Sequence, residues 1–240
     1  GYTIEQIFAK LEEYEVCSVE SLRATAREMD FSEEFPFLKE IQNPTERYYQ
    51  LEGYLYPDTY EFYVGENATS VISRFLRNFE DHWTDEYAAR AAELNMSMDQ
   101  ILTLASIIEK EAYGTEQMYQ VSSVLHNRLN DNSGAFLYLQ CDSTAGYIAG
   151  IPEDVLAGDE RVNFTKLYDT YQRQGLPAGP ICSPGDEAIQ AALYPADTDY
   201  LYFRHDVNRK IYLARTEREH NRNGEEVLRV NAEAASSSEG

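Results

Sequence analysis

With 240 residues, 43% of them hydrophobic and 12% aromatic, the chain can enclose a sizeable core and belongs with globular rather than disordered proteins. Its 42 acidic residues against 20 Lys and Arg leave a formal charge of −22, which argues against nucleic acid as a partner and against direct binding to an anionic membrane surface. A neutral or zwitterionic polymer such as a glycan is compatible, and the 19 tyrosines suit sugar stacking as well as core packing.

The chain opens with GYTIEQIF, directly on a helix pattern and without an initiator methionine, which predicts a shortened chain with room upstream for a membrane anchor. Thr3 and Gln6 have capping-box spacing ahead of the stripe Ile4, Ile7, Phe8 and Leu11. Ser18 suits the N-cap of a second helix carrying Val19, Leu22, Ala26 and Met29. Pro36 and Pro44 break the next stretch, so residues 1–44 are expected to form a small helical subdomain or cap. The stretch LEGYLYPDTYEFYVGEN (51–67) is aromatic but punctuated by Gly53, Pro57 and Gly65, which predicts turns and short strands. Val71, Ile72, Phe75, Leu76 and Phe79 give a helix over 68–82, and Thr84 starts another ending near Leu94. Ser97 and Gln100 repeat the capping box and begin the helix that contains LASIIEKEAYG (104–114). A further helix carries Met118, Val121, Val124, Leu125 and Leu129 and stops at NDNSG.

Beyond it the character changes. FLYLQCDSTAGYIAGIP and YDTYQRQGLPAGPICSPG are rich in turn residues, Asp186 begins a short helix to Leu193, and YLYFRH and KIYLAR flank DVNR as a β-hairpin. A last helix carries EREHNRNGEE, and residues 232–240 are disordered by composition. The class is α+β: a helix-rich domain over 45–231 with a small strand and hairpin region.

In LASIIEKEAYG two glutamates are separated by one lysine. At about 100° per residue, Ile101, Leu102, Leu104, Ala105, Ile107, Ile108 and Ala112 fill one apolar arc, with Lys110 opposite it beside Thr103 and Ser106. Glu109 and Glu111 fall on the two flanks of the arc, about 160° apart, where desolvation can raise a carboxyl pKa. The plain alternative is a solvated helix end, and geometry alone does not choose between the two carboxyls. Elsewhere, LQCDST lines up Gln140, Asp142, Ser143 and Thr144, side chains suited to hydroxyl and amide recognition but equally to turn and cap chemistry. The Gly/Pro-rich GLPAGPICSPG suits a rigid cleft wall or mere punctuation of the fold. Cys17, Cys141 and Cys182 are too few and too scattered for a zinc site, and their number leaves one outside any intrachain disulfide. No metal site and no cofactor motif is expected.

LEGYLYPDTYEF, LASIIEKEA, VSSVLHNRL, LYLQCDSTAGY, YDTYQRQGLPAGPICSPG, AALYPADTDYLYF and TEREHN occur in that order over about two-thirds of the chain. This series resembles the MltG (YceG-like) family of endolytic murein transglycosylases. The resemblance places the catalytic acid on the second glutamate of the ASIIEKE element, Glu111, and separates it from Glu109, which is then expected to support structure. It implies cleavage of the MurNAc–GlcNAc β-1,4 bond of peptidoglycan strands without water, leaving a 1,6-anhydro end. It also implies a single-pass anchor, a position at the outer face of the bacterial cytoplasmic membrane, and cell-wall synthesis or division proteins as partners. There are departures: Cys141-Asp142-Ser143-Thr144 replaces the family's usual Asp-Pro-Thr run, and Asp169 and Ala178 stand where Asn and Pro are common.

An acid on a helix flank needs groups opposite it to hold a sugar in reactive geometry. Gln140, Asp142 and Thr144, with Tyr168 and Tyr171 as stacking or hydroxyl contacts and Glu52 from LEGYLYPDTYEF, are the expected substrate-binding residues. Both LQCDST and GLPAGPICSPG are expected beside Glu111, which also brings Cys141 and Cys182 toward each other. The alternatives are a glycoside hydrolase pairing Glu111 with Asp142 or Glu52, and a non-catalytic glycan-binding or division scaffold.

Overall fold

Capping fixes where the first helices begin. In α1 (Ile4–Glu13) and α5 (Met98–Glu111), Thr3 and Ser97 accept the backbone N–H of Gln6 and Gln100, whose side chains take the cap residue's N–H in return. Ser18, Asn67 and Thr84 cap α2 (Val19–Glu28), α3 (Ala68–His82) and α4 (Asp85–Glu93) through their side chains alone. The computed structural model describes residues 1–238, with side chains through 236, and continues with α6 (Thr115–Leu129), α7 (Asp142–Tyr147), α8 (Gly158–Tyr168) and α9 (Asp186–Leu193). An antiparallel hairpin of β1 (Tyr202–His205) and β2 (Ile211–Ala214) pairs Tyr202 with Ala214 and His205 with Ile211. Helix α10 (Glu217–Ser238) packs on that hairpin. The fold is α+β, as expected from the order of elements.

Helix α5 is the centre of the core. It lies against α9 and α6, and every residue from Ile101 to Ile108 is buried. The expected polar sector is therefore solvated only at Lys110: Thr103 and Ser106 are buried and bond to backbone carbonyls of the same helix, of Asp99 and Thr103 respectively. The segment 177–185 covers that side, with the Ile181 N–H donating to Ser106 Oγ at 3.0 Å. The buried Arg47–Asp99 pair, at 2.5 Å, ties the chain before the aromatic loop to the start of α5. Tyr54 also donates to Asp99 at 2.7 Å, so both carboxylate oxygens are satisfied.

The aromatic loop 51–67 holds turns but no strand among the described residues. Its rings pack on α3 instead, Tyr54 against Phe79 and Tyr60 against Phe75. Gly53 (φ +91°) bends this loop against Pro180, where a Cβ would come within 2.5 Å of the proline ring. The apolar side chains of α1 and α2, including Ile4, Phe8 and Leu22, join the same core cluster as those of α3 and α5. Helix α7 occupies a stretch where turn residues suggested irregular chain, and α8 fills most of the interval between the two turn-rich stretches. Residues 232–238, expected as disordered tail, continue α10, and 239–240 lie outside the described residues.

Candidate functional site

Glu111 is the last residue of α5, where the helix emerges from the core and its carboxyl becomes half-buried. Two donors converge on Oε1: the Ser143 hydroxyl at 2.7 Å and the Ser143 N–H at 3.2 Å. Burial pushes the Glu111 pKa up, and the Asp142 charge adds to that; the two Ser143 hydrogen bonds pull it part of the way back. The group is thus set up to hold a proton above the ordinary glutamate range, yet to be stabilised as a carboxylate once that proton leaves.

Ser143 is positioned by α7, a helix of 6 residues held at both ends. At its start, Thr144 Oγ1 donates to the Cys141 carbonyl at 2.8 Å and lies 2.9 Å from Thr170 Oγ1. Thr170 Oγ1 in turn accepts the Cys141 N–H at 2.9 Å, and the Thr170 carbonyl accepts the Gln140 N–H at 3.2 Å. These bonds stitch LQCDST to YDTY and bring the Tyr171 hydroxyl to Asp142 Oδ1 at 2.7 Å. At the other end of α7, Tyr147 donates to Glu52 Oε2 at 2.9 Å while its ring packs on Tyr168, centroids 4.7 Å apart.

Of the expected site residues, Asp142 and Tyr171 are exposed and chained to the immediate neighbourhood of Glu111. Gln140 is exposed one residue before Cys141, in the left-handed region at φ 53°. Thr144 is buried and spends its hydroxyl on Cys141 and Thr170, so it shapes the loop rather than facing solvent. Tyr168 and Glu52 are completely buried, and both stand behind α7 instead of on the open side. The Glu52 carboxylate takes the Ile4 N–H on both oxygens, at 3.1 and 3.2 Å, besides the Tyr147 hydroxyl. Burial pushes its pKa up to about 7 despite those donors. Ser143 belongs to the polar run LQCDST yet is not among the expected binding residues; its signal is a place one residue into a helix that the turn-rich composition conceals.

The other flank of α5 differs. Glu109 Oε2 accepts the Gly185 N–H at 3.3 Å at the start of α9, and Oε1 accepts from the Gly1 nitrogen at 3.1 Å. GLPAGPICSPG lies on this flank, against Ser106 and Glu109, and not beside Glu111; its first glycine reaches the chain just ahead of LQCDST, Gly175 donating to the Leu137 carbonyl at 2.9 Å. The reason is steric: the rigid segment packs where Gly53 and Gly179 leave room for it against the aromatic loop and Arg47. Cys141 and Cys182 accordingly sit on different flanks, and all three cysteines are free. A cavity of about 720 Å³ also opens on this side between Tyr2, Tyr14, Tyr56 and Phe62, and Glu111 is not among its walls. This cavity and the carboxyl that burial pushes up therefore lie in different places. Among the described residues no three His, Cys, Asp or Glu side chains converge as a metal site, and no helix is long and apolar enough to cross a membrane.

Comparison with known proteins adds to this geometry. The model of the YceG-like family matches residues 1–226. A Bacillus subtilis (strain 168) protein named endolytic murein transglycosylase is 31% identical over 235 residues, an alignment covering 95% of this chain and 59% of that protein. A Streptococcus pneumoniae protein of the same name is 31% identical over 241 residues, covering 93% of this chain and 42% of its own length. The chain thus spans about half the length of the curated relatives it matches. A solved YceG-like protein from Listeria monocytogenes superposes with a TM-score of 0.74 at 31% identity, covering 92% of this chain and 72% of that one.

Proposed function

The chain belongs to the YceG-like family, and from that premise we propose that it cleaves the MurNAc–GlcNAc β-1,4 bond within peptidoglycan glycan strands, with Glu111 as the catalytic acid and a 1,6-anhydro-MurNAc end as product. The observation that carries the reading is the Glu111 carboxyl itself: pushed up by burial, and bonded by two donors of Ser143. In the first half, protonated Glu111 gives its proton to the glycosidic oxygen as the C1–O bond breaks and the GlcNAc hydroxyl departs. Positive charge develops at C1, and the new carboxylate, held by Ser143, takes the proton of the MurNAc C6 hydroxyl. O6 then bonds to C1 and closes the anhydro ring. The nucleophile is part of the substrate, so its effective concentration is high and no second carboxylate has to position a water.

Gln140, Asp142 and Tyr171 are the proposed substrate contacts on the exposed side of Glu111. Thr144, Tyr168 and Glu52 act behind them, by fixing α7. The reaction takes place at the outer face of the bacterial cytoplasmic membrane, with an upstream anchor holding the protein there and cell-wall synthesis or division proteins nearby. A second reading rests on Asp142, an exposed carboxylate next to Ser143 whose charge acts on Glu111: with a water between them, the two carboxyls would hydrolyse the same bond. Incubation with uncrosslinked glycan strands followed by mass analysis of the new ends separates the two, since hydrolysis leaves a reducing end and the proposed reaction an anhydro end.

A further inference from the structure

Two residues beyond Glu111, the chain turns outward at Tyr113, whose side chain is 51% exposed. The tip of the β1–β2 hairpin is folded onto this tyrosine. The Arg209 guanidinium lies 5.2 Å from its ring centroid, and His205 meets the ring edge-on with centroids 5.1 Å apart. One side chain, Gln117 of α6, ties the group together. Its Nε2 donates to the Arg209 carbonyl at 2.9 Å, while its Oε1 accepts the Tyr113 N–H at 3.1 Å and lies 3.0 Å from His205 Nε2. Arg209 itself is in the left-handed region, at φ 64°, a conformation that costs a non-glycine residue on the order of 1 kcal/mol. The hairpin is therefore braced so as to present an arginine, and not a glycine, at that point. Arg209 is exposed, and among the described residues no carboxylate forms an ion pair with its guanidinium.

In a chain of formal charge −22, an unpaired cation on the hairpin packed against Tyr113, two residues along the chain from Glu111, has an electrostatic consequence. Uncut glycan strands carry peptide stems on the MurNAc lactyl group, and those stems bear free carboxylates that the rest of this surface repels. We propose that Arg209 and Tyr113 form a subsite for the carboxylate-bearing peptide stem of the sugar next to the scissile bond, a proposal that rests on the reading of Glu111 as a glycan-cleaving acid. The guanidinium pairs with a stem carboxylate through charge-assisted hydrogen bonds, and the tyrosine ring carries the apolar part of the stem. The subsite gives preference for strands that still bear peptides over denuded ones.

The test measures binding and cleavage separately. The Glu111→Gln protein, which leaves strands uncut, is titrated with uncrosslinked strands bearing stems and with the same strands stripped by an amidase. Stem-bearing strands are expected to bind more tightly, and adding Arg209→Gly should reduce that preference on the order of tenfold, the loss of one charge-assisted contact. Glycine suits the left-handed backbone, so this variant keeps the turn, and Arg209→Lys should retain a large part of the preference. A preference unchanged by Arg209→Gly, or no preference in the parent, overturns the subsite. Stem preference that depends on Arg209 in a protein that cuts neither substrate would leave the subsite and remove the reaction. Cleavage of both substrates with no response to Arg209→Gly would do the reverse.

Discussion

Glu109 and Glu111 lie two residues apart on one helix, yet their surroundings differ. Glu111 is bonded by Ser143 and held above the ordinary glutamate range by burial, whereas Glu109 anchors the backbone at the start of α9. Glu111→Gln should abolish strand cleavage with the thermal midpoint nearly unchanged, because the side chains are close in size; turnover near the wild-type rate would remove Glu111 from the role. The pH dependence comes from the same contacts. The acid form is needed first, so activity falls as pH rises through the raised pKa. Ser143→Ala removes a hydrogen bond to the carboxylate form, so it should move that falling limb to higher pH as well as slow the reaction; a limb moved downward contradicts the assignment.

Glu52 gives a second test at this scale, in stability. Its folded pKa, about 7, lies above the ordinary 4.5, so the folded state holds the proton longer than the unfolded state does. Its contribution is thus fully present below the unfolded value and is lost as pH rises through the folded one, by up to about 3 kcal/mol. Glu52→Gln removes the titrating group and keeps an acceptor for the Ile4 N–H. Urea unfolding at about pH 5 and about pH 8 should then show a smaller loss of stability in the variant than in wild type. Equal losses would mean that Glu52 does not carry this proton.

Among the elements, α7 is the one on which the site depends. It is too short to be stable alone, and it is held by Thr170 at one end and Glu52 at the other while it delivers Ser143 to Glu111. Tyr147→Phe deletes one of those ties and should destabilise the protein by about 1–3 kcal/mol in urea unfolding, leaving Glu52 buried with one donor fewer. No change in stability would show that the tie is idle. Helices with a cap and an apolar stripe, such as α1, α3 and α5, are legible in the sequence because both signals are local. Helix α7 is not: it has no side-chain cap, contains Gly146, and owes its shape to contacts with residues 52, 111 and 170 that are distant in sequence. The same limit hides the burial of Thr103 and Ser106, since periodicity marks a polar face but not the segment that comes to cover it. Asp142 and Tyr171 are legible as polar groups, and their pairing depends on the stitching of two loops.

For the molecule as a whole, a single core runs from α1 to α9, and the acid sits where the central helix leaves that core. The chain around it is strongly acidic, which suits a neutral or zwitterionic polymer and makes the exposed Arg209 beside Tyr113 significant. Everything proposed for the site turns on one carboxyl, Glu111, cutting the glycan with the substrate's own hydroxyl as nucleophile. The decisive measurement is mass analysis of the ends released from uncrosslinked strands by wild type and by Glu111→Gln. Wild type should release 1,6-anhydro-MurNAc ends, lighter than reducing ends by the mass of one water, and the variant should release no new ends. Reducing ends from wild type, or anhydro ends still formed by Glu111→Gln, would contradict the one-carboxyl mechanism.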